Sequence, residues 1–305
     1  MTWKALRWVW RLEAPLFIGM PPAGALNRCR PYVPARVLWG AVTAEISRSR
    51  HSETFPDYGK LGWEIALNCR FTYLYPAEKN GDKYLAWMPN YLKATLDERK
   101  GNGEQKIGLR WHRLDGKGDL SDRDFRRRLL DSRPGTAIAP ETDSAFEGTL
   151  RDTECINPWW RDSSDCQGQP IPMLLFGYVF LRNNGFRRQL ENVDTLFVGG
   201  DTRYGFGKIH RVQWNELSGD VPVFRKPVRL DQENPEICSD TVWGHASEDS
   251  DAPIEGMQGM KERLGGWEQG SPWPGVLTWA PGSSLEQSVW WSLDKYGCWM
   301  RRDKR

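Results

Sequence analysis

Leu6, Trp8, Trp10 and Leu12 alternate with Arg7 and Arg11 after Lys4, the period-two pattern that predicts a strand over 3–12, with Val9 as a blurred position. Pro15, Gly19, Pro21, Pro22 and Gly24 break any regular structure that could follow. Beyond them the period changes. Pro34 suits a first helical turn, and Leu38, Val42 and Ile46 recur four residues apart, so a helix is expected over 35–46. Two strands are read at 64–75 and 83–88 around the turn Asn80-Gly81-Asp82. From about 97 to 169 the chain is polar and rich in turn residues such as Gly101-Asn102-Gly103, Gly116-Lys117-Gly118 and Gln167-Gly168-Gln169-Pro170, around a basic helix at 121–131. This reads as a long insertion or mobile excursion rather than a second core. Residues 173–181 are apolar and aromatic, as a central buried strand requires, and a short helix at 186–193 precedes a glycine loop and a last strand ending near 212.

Strand, helix, hairpin, strand, helix, glycine loop and strand predict an α+β fold: a ferredoxin-like β-α-β-β-α-β domain over 1–217 with an insertion at about 97–169. Residues 218–305 are acidic and then Trp-rich, and read as an irregular region.

The 305 residues, 39% hydrophobic and 27% charged, suffice for a sizeable core and exclude a miniprotein. No apolar run approaches the roughly 18 residues of a membrane helix, so no membrane partner is expected. Charges at Lys4, Arg7 and Arg11 interrupt any signal-peptide core, which predicts a cytoplasmic protein. The six cysteines lie far apart with no C-x-x-C pair, so neither a structural metal nor a disulfide framework is implied. Net charge is only +2, yet residues 1–50 hold eight Lys/Arg against two acids, and 231–255 hold eight acids and no Lys/Arg. Such segregation lets one face be basic in a nearly neutral chain.

The stretch Thr195-Leu196-Phe197-Val198-Gly199-Gly200-Asp201-Thr202-Arg203-Tyr204-Gly205-Phe206-Gly207-Lys208-Ile209 is the most informative. Gly199, Gly200, Gly205 and Gly207 permit close approach of a backbone and outward N–H groups, Arg203 and Lys208 offer charge to phosphate, and Tyr204 offers a stacking face. The loop lacks the G-K-[ST] of a phosphate-binding P-loop and the spacing of a dinucleotide fingerprint. A plain glycine-rich hairpin is the bland alternative.

This loop closely resembles the C-terminal glycine-rich loop of the RAMP superfamily of CRISPR-associated proteins. Leu12-Glu13-Ala14-Pro15-Leu16-Phe17-Ile18-Gly19 resembles the family's first strand and turn, and Tyr32-Val33-Pro34-Ala35-Arg36-Val37-Leu38-Trp39-Gly40-Ala41 its helix start, with Ala35 in place of the usual Gly and Trp39 where Arg is common. Residues 136–150 are similar to the stretch before the later strands of type III subunits. The resemblance covers 5–215 in patches and implies a noncatalytic, guide-RNA (crRNA) binding subunit of a type III effector complex, of the kind that caps the five-prime handle. Its implied partners are crRNA, other effector subunits and, indirectly, target RNA; Gly199, Gly200, Arg203, Tyr204, Gly205, Gly207, Lys208 and Arg36 are its RNA-binding candidates, and no cofactor is implied.

Two enzyme readings stand beside it. A backbone subunit that cleaves target RNA needs a loop aspartate, for which Asp57 is the candidate; a metal-independent crRNA-processing ribonuclease needs a base, for which His51 is the candidate. Core packing accounts for most of the 17 tryptophans, while Trp267, Trp273 and Trp279, read as loop residues, suggest a subunit interface. A carbohydrate-binding module built on the tryptophans is the outside alternative.

Overall fold

The computed structural model describes residues 2–50, 57–93, 107–164, 168–182, 184–217, 221–247, 254–268 and 271–301. It is a mixed α+β structure with two large sheets. β1 (Lys4–Leu12) forms where the alternation places it. The alternation is imperfect because both faces are covered: Val9 is as buried as Trp8 and Trp10, and the register against a neighbouring strand shifts between Val9 and Trp10. After the short β2 (Leu26–Asn27) comes α1 (Ala35–Arg50), which buries Leu38, Val42 and Ile46 as one stripe.

Residues 58–68 depart from the strand read at 64–75. They form α2 (Tyr58–Asn68), whose first turn is capped by the Asp57 carboxylate accepting from the Lys60 N–H at 2.9 Å. Leu61 and Ile65, four apart, are its buried contacts, and Gly62 lets the Trp39 ring of α1 approach to where a Cβ would meet it at 2.9 Å. β3 (Cys69–Phe71), β4 (Tyr75–Asn80) and β5 (Lys83–Lys93) follow, the last two joined at Gly81 with φ +57°.

Part of the expected excursion is packed into the fold, while 131–152 stay at the surface. β6 (Ile107–Arg113) and β7 (Asp119–Ser121) extend the same sheet, and α3 (Asp122–Leu129) covers it with Phe125 stacked 4.1 Å from the fully buried Trp111. The Gly116-Lys117-Gly118 turn closes a tight hairpin instead of leaving the fold. At Gly118 a Cβ would lie 2.6 Å from the Trp87 ring. β8 (Leu130–Gly135) then runs out to the part that does project, β9 (Ile138–Ala139) and β10 (Ser144–Ala145), where Ile138, Phe146 and Leu150 are exposed. β11 (Arg151–Ile156) returns antiparallel to β8, and the small ribbon of β12 (Trp159–Ser164) and β13 (Pro170–Pro172) leads to β14 (Leu174–Leu181), every residue of which is buried. α4 (Asn184–Glu191), β15 (Thr195–Phe197) and β16 (Lys208–Glu216) complete this half.

The nine-stranded sheet has the order β15-β16-β1-β14-β4-β5-β6-β7, with β3 also pairing β14, and every pairing is antiparallel. α1 and α2 lie in the connection from β1 to β3, and α4 in that from β14 to β15.

The Trp-rich end is not irregular. β17 (Val228–Arg229), β18 (Glu236–Thr241), β19 (Ala246–Ser247), β20 (Lys261–Glu268), β21 (Ser271–Trp279), β22 (Ser284–Leu293) and β23 (Trp299–Arg301) form a seven-stranded sheet in the order β17-β18-β22-β23-β19-β21-β20. Trp291 and Trp299 are fully buried in it. Trp267, Trp273 and Trp279 fall on paired strands rather than in a loop; the side chains of Trp267 and Trp273 lie outside the described residues.

This sheet is docked on the first half along its length. The Trp3 N–H donates to the Leu230 carbonyl at 2.7 Å, the Arg70 guanidinium donates to Asn234 Oδ1 at 2.7 Å, and the Tyr91 N–H donates to the Gly282 carbonyl at 2.8 Å. Gly297, at φ +77°, sits where a Cβ would be 2.2 Å from the Ala35 Cβ at the start of α1.

Candidate nucleic-acid interface

The glycine loop is closed by its own backbone. The Val198 N–H donates to the Gly207 carbonyl at 2.9 Å, the Gly207 N–H to the Pro15 carbonyl at 2.7 Å, and the Gly200 N–H to the Phe17 carbonyl at 2.9 Å. Gly199 (φ +82°) and Gly207 (φ +79°) are indispensable to this closure, since a Cβ would stand 2.2 Å from the Phe17 oxygen and 2.0 Å from the Val198 oxygen. Between them residues 202–204 make one 3-10 turn that ends at Gly205, whose N–H donates to the Thr202 carbonyl at 3.2 Å.

The expected outward-facing N–H groups are therefore not what Gly200, Gly205 and Gly207 supply. Their donors are consumed within the fold, and the glycines instead hold a rigid loop that lifts residues 202–205 into solvent. Tyr204 is 72% exposed at its crest, beside the exposed Arg203.

Two clefts flank the loop. The first, of about 490 Å³, opens between Asp201, Tyr204 and Phe206 and the β8–β11 ribbon, which contributes Arg133, Arg151 and Thr153. The pairings Thr153↔Arg133 and Arg151↔Gly135 put both arginines on one face of that ribbon. The Arg151 guanidinium lies 5.5 Å from the centre of the Tyr204 ring, so cation and aromatic ring are already assembled. The second cleft, of about 350 Å³, is lined by Gly199, Gly200, Gly19, Arg30 and Arg36 together with Leu264 and Gly265 of β20.

The sequence candidates are thus divided. Gly199, Gly200 and Arg36 belong to the second cleft, Tyr204 to the first. Arg36 turns toward the C-terminal sheet, its guanidinium 4.5 Å from the centre of the Tyr296 ring. Lys208 sits outside both clefts, its Nζ 3.0 Å from Glu13 Oε2, and Arg11 donates to the other oxygen of that carboxylate at 2.7 Å. The hydrogen bonds from Arg11 and Lys208 hold the Glu13 carboxyl below its usual range. Asp57 serves as the cap of α2, and His51 lies outside the described residues.

Arg133, Arg151 and Arg30 escaped the sequence reading. The first two flank residues 136–150, and only the β8–β11 register makes neighbours of residues so far apart in sequence. All four segments that carry the family resemblance meet here. The Leu12–Gly19 stretch accepts the loop's hydrogen bonds, Pro34, Arg36 and Val37 line the second cleft, and Thr136, Ala137 and Thr149 line the first.

Comparison with known proteins agrees at the level of fold. No family model matches the sequence, and no curated protein matches it. Among solved structures, the chain is similar to a chain in a cryo-EM structure of the type III-B Cmr-beta bound to cognate target RNA and AMPPnP, with TM-score 0.53 and 11% identity over 91% of this chain and 84% of that one. A second chain, from the type III-B Cmr-beta bound to cognate target RNA, aligns at TM-score 0.39 and 12% identity over 69% of this chain and 96% of its own. The first likeness shows a fold shared with a type III CRISPR subunit.

Proposed function

We propose that this chain is a noncatalytic crRNA-binding subunit of a type III-like CRISPR interference complex. The observation that carries this is the convergence of the four family-like segments on one rigid loop, which presents Tyr204 against Arg151 and Arg133. An exposed ring beside two cations on an adjoining ribbon suits unpaired nucleotides, whose bases stack and whose phosphates pair with arginine. The order β16-β1-β14-β4 with helices in both crossovers supports the ferredoxin-like reading of the first 217 residues, widened by β5, β6 and β7. The solved neighbour comes from an assembly bound to target RNA, which supports other effector subunits and target RNA as indirect partners.

The target-cleaving reading receives less support, because the Asp57 carboxylate is engaged at the helix start. The test is RNA binding by the purified chain across a salt series, with cleavage followed in the same tubes and an Arg203→Ala/Tyr204→Ala variant alongside. Salt-sensitive binding that weakens in the variant, with RNA left intact, is expected. Cleaved RNA would move the assignment to a nuclease, and absence of binding would remove it.

A further inference from the structure

The second cleft draws its walls from two sheets. Gly199, Gly200, Arg30 and Arg36 come from the N-terminal half, Leu264 and Gly265 from β20 of the C-terminal sheet. β20 is fixed in this position by Glu262, which lies two residues before Leu264 and so on the same face of the strand. Arg30 Nη1 donates to Glu262 Oε1 and Oε2 at 2.8 Å each, the Tyr32 hydroxyl lies 3.4 Å from Oε1, and His245 Nε2 bonds the same oxygen. Behind His245, the Tyr73 hydroxyl lies 2.5 Å from Nδ1 and accepts the His245 backbone N–H at 3.3 Å. With Tyr73 donating to Nδ1, Nε2 carries the proton given to Glu262. The cluster joins Arg30, Tyr32 and Tyr73 of the first half to His245 and Glu262 of the second, with Arg30 and His245 both buried.

Past this anchor the strand changes register with β21 between Leu264 and Gly266, at the cleft itself. Such irregularities re-aim a strand locally. Gly200 lines this cleft and the next residue, Asp201, lines the other, so one loop serves both.

We propose that β20 is the far wall of the RNA path: Leu264 and Gly265 cover the ribose–phosphate backbone of the nucleotide lying on Gly199 and Gly200, beside Arg36. Glu262 acts as a positioning residue that holds this wall. The C-terminal sheet is then part of the binding site. This rests on the RNA-binding reading above, and the ligand it names is an unpaired strand with one nucleotide seated in a cleft of about 350 Å³.

The test uses the full chain with thiouridine-containing single-stranded RNA, photocrosslinking and peptide mapping, together with a Leu264→Trp variant that fills the cleft from a half-buried position. Crosslinks on both the 201–204 segment and the 261–265 segment are expected, with affinity lowered about tenfold in Leu264→Trp at unchanged melting temperature. Glu262→Gln is expected to shift the crosslinks away from 261–265, a change that a purely structural role would not produce. Crosslinks confined to the first cleft, with undiminished binding by Leu264→Trp, would overturn the proposal while leaving the RNA-binding reading intact. Wild-type protein that neither binds nor crosslinks RNA would overturn both.

Discussion

Arg30 and Arg151 are both arginines that face an acid or an aromatic ring near the glycine loop, yet they occupy opposite physical settings. Arg30 is 7% exposed and its Nη1 donates to both Glu262 oxygens, so its charge is spent on joining two sheets. Arg151 is exposed and lies over Tyr204, so its charge faces solvent and whatever enters the first cleft. Buried pairs of the first kind are costly to break, because removing one partner strands the other charge. Arrangements of the second kind contribute little to stability and much to recognition. The contrast separates the residues that build the interface from those that use it.

The largest effect expected follows from Glu262→Ala. It leaves Arg30 buried without its carboxylate, and a loss of about 3–5 kcal/mol of unfolding free energy is predicted from denaturant titration. A loss below about 1 kcal/mol would place Arg30 in the same class as exposed arginines and erase the contrast. Next comes Tyr204→Ala, which should cost about 1–3 kcal/mol of RNA affinity by removing a stacking surface, at unchanged stability. Equal binding by wild type and variant in a filter or anisotropy assay would remove the ring from the site.

The joint should also respond to acid. Burial pushes the His245 pKa below its usual value near 6.5, against the pull of Glu262, so the neutral ring is the native form. For Glu262, burial alone would raise the pKa, but the hydrogen bonds from His245 and Arg30 and the charge of Arg30 outweigh it and bring it down to about 2. Both pKa values are depressed on folding, so both contributions are present at neutral pH and are lost as pH falls. The His245 contribution begins to fade below about 6.5, and that of Glu262 between about 4.5 and 2. Stability against urea measured from pH 8 to pH 2 should therefore decline on the acid side in wild type, and below about pH 4.5 it should decline more shallowly in Glu262→Gln, which has no carboxyl to protonate there. Parallel curves would show that the cluster does not titrate with unfolding. The smallest effect is that of Lys208→Ala, whose charge already pairs with Glu13: the salt slope of RNA binding should change by less than about one.

Much of the first half was legible in the sequence. Period-four spacing gave α1, an uninterrupted apolar run gave β14, and the glycine spacing pointed to the loop. α2 was missed because 64–75 reads as continuous strand unless Asp57 is recognised as a cap and Leu61 and Ile65 as a helical pair. The turn-rich stretch from about 97 to 169 reads as an insertion or excursion, although Trp111 and Phe125 within it are buried against the sheet. The C-terminal sheet was hidden because its tryptophans fall among Gly and Pro, and its order, with β19 between β23 and β21, depends on pairings far apart in sequence. The same holds at the interface. Glycine, tyrosine and basic types could be read locally, but which cations face Tyr204 is set by the β8–β11 register, and Lys208, adjacent in sequence, turns out to face Glu13.

The central claim is that RNA is held between the glycine loop and the β8–β11 ribbon. Its most direct test is the salt dependence of single-stranded RNA binding by wild type and by an Arg133→Ala/Arg151→Ala variant. The account predicts weaker binding in the variant and a salt slope shallower by about one to two phosphate contacts. An unchanged slope and affinity, in a variant that melts like wild type, would contradict it.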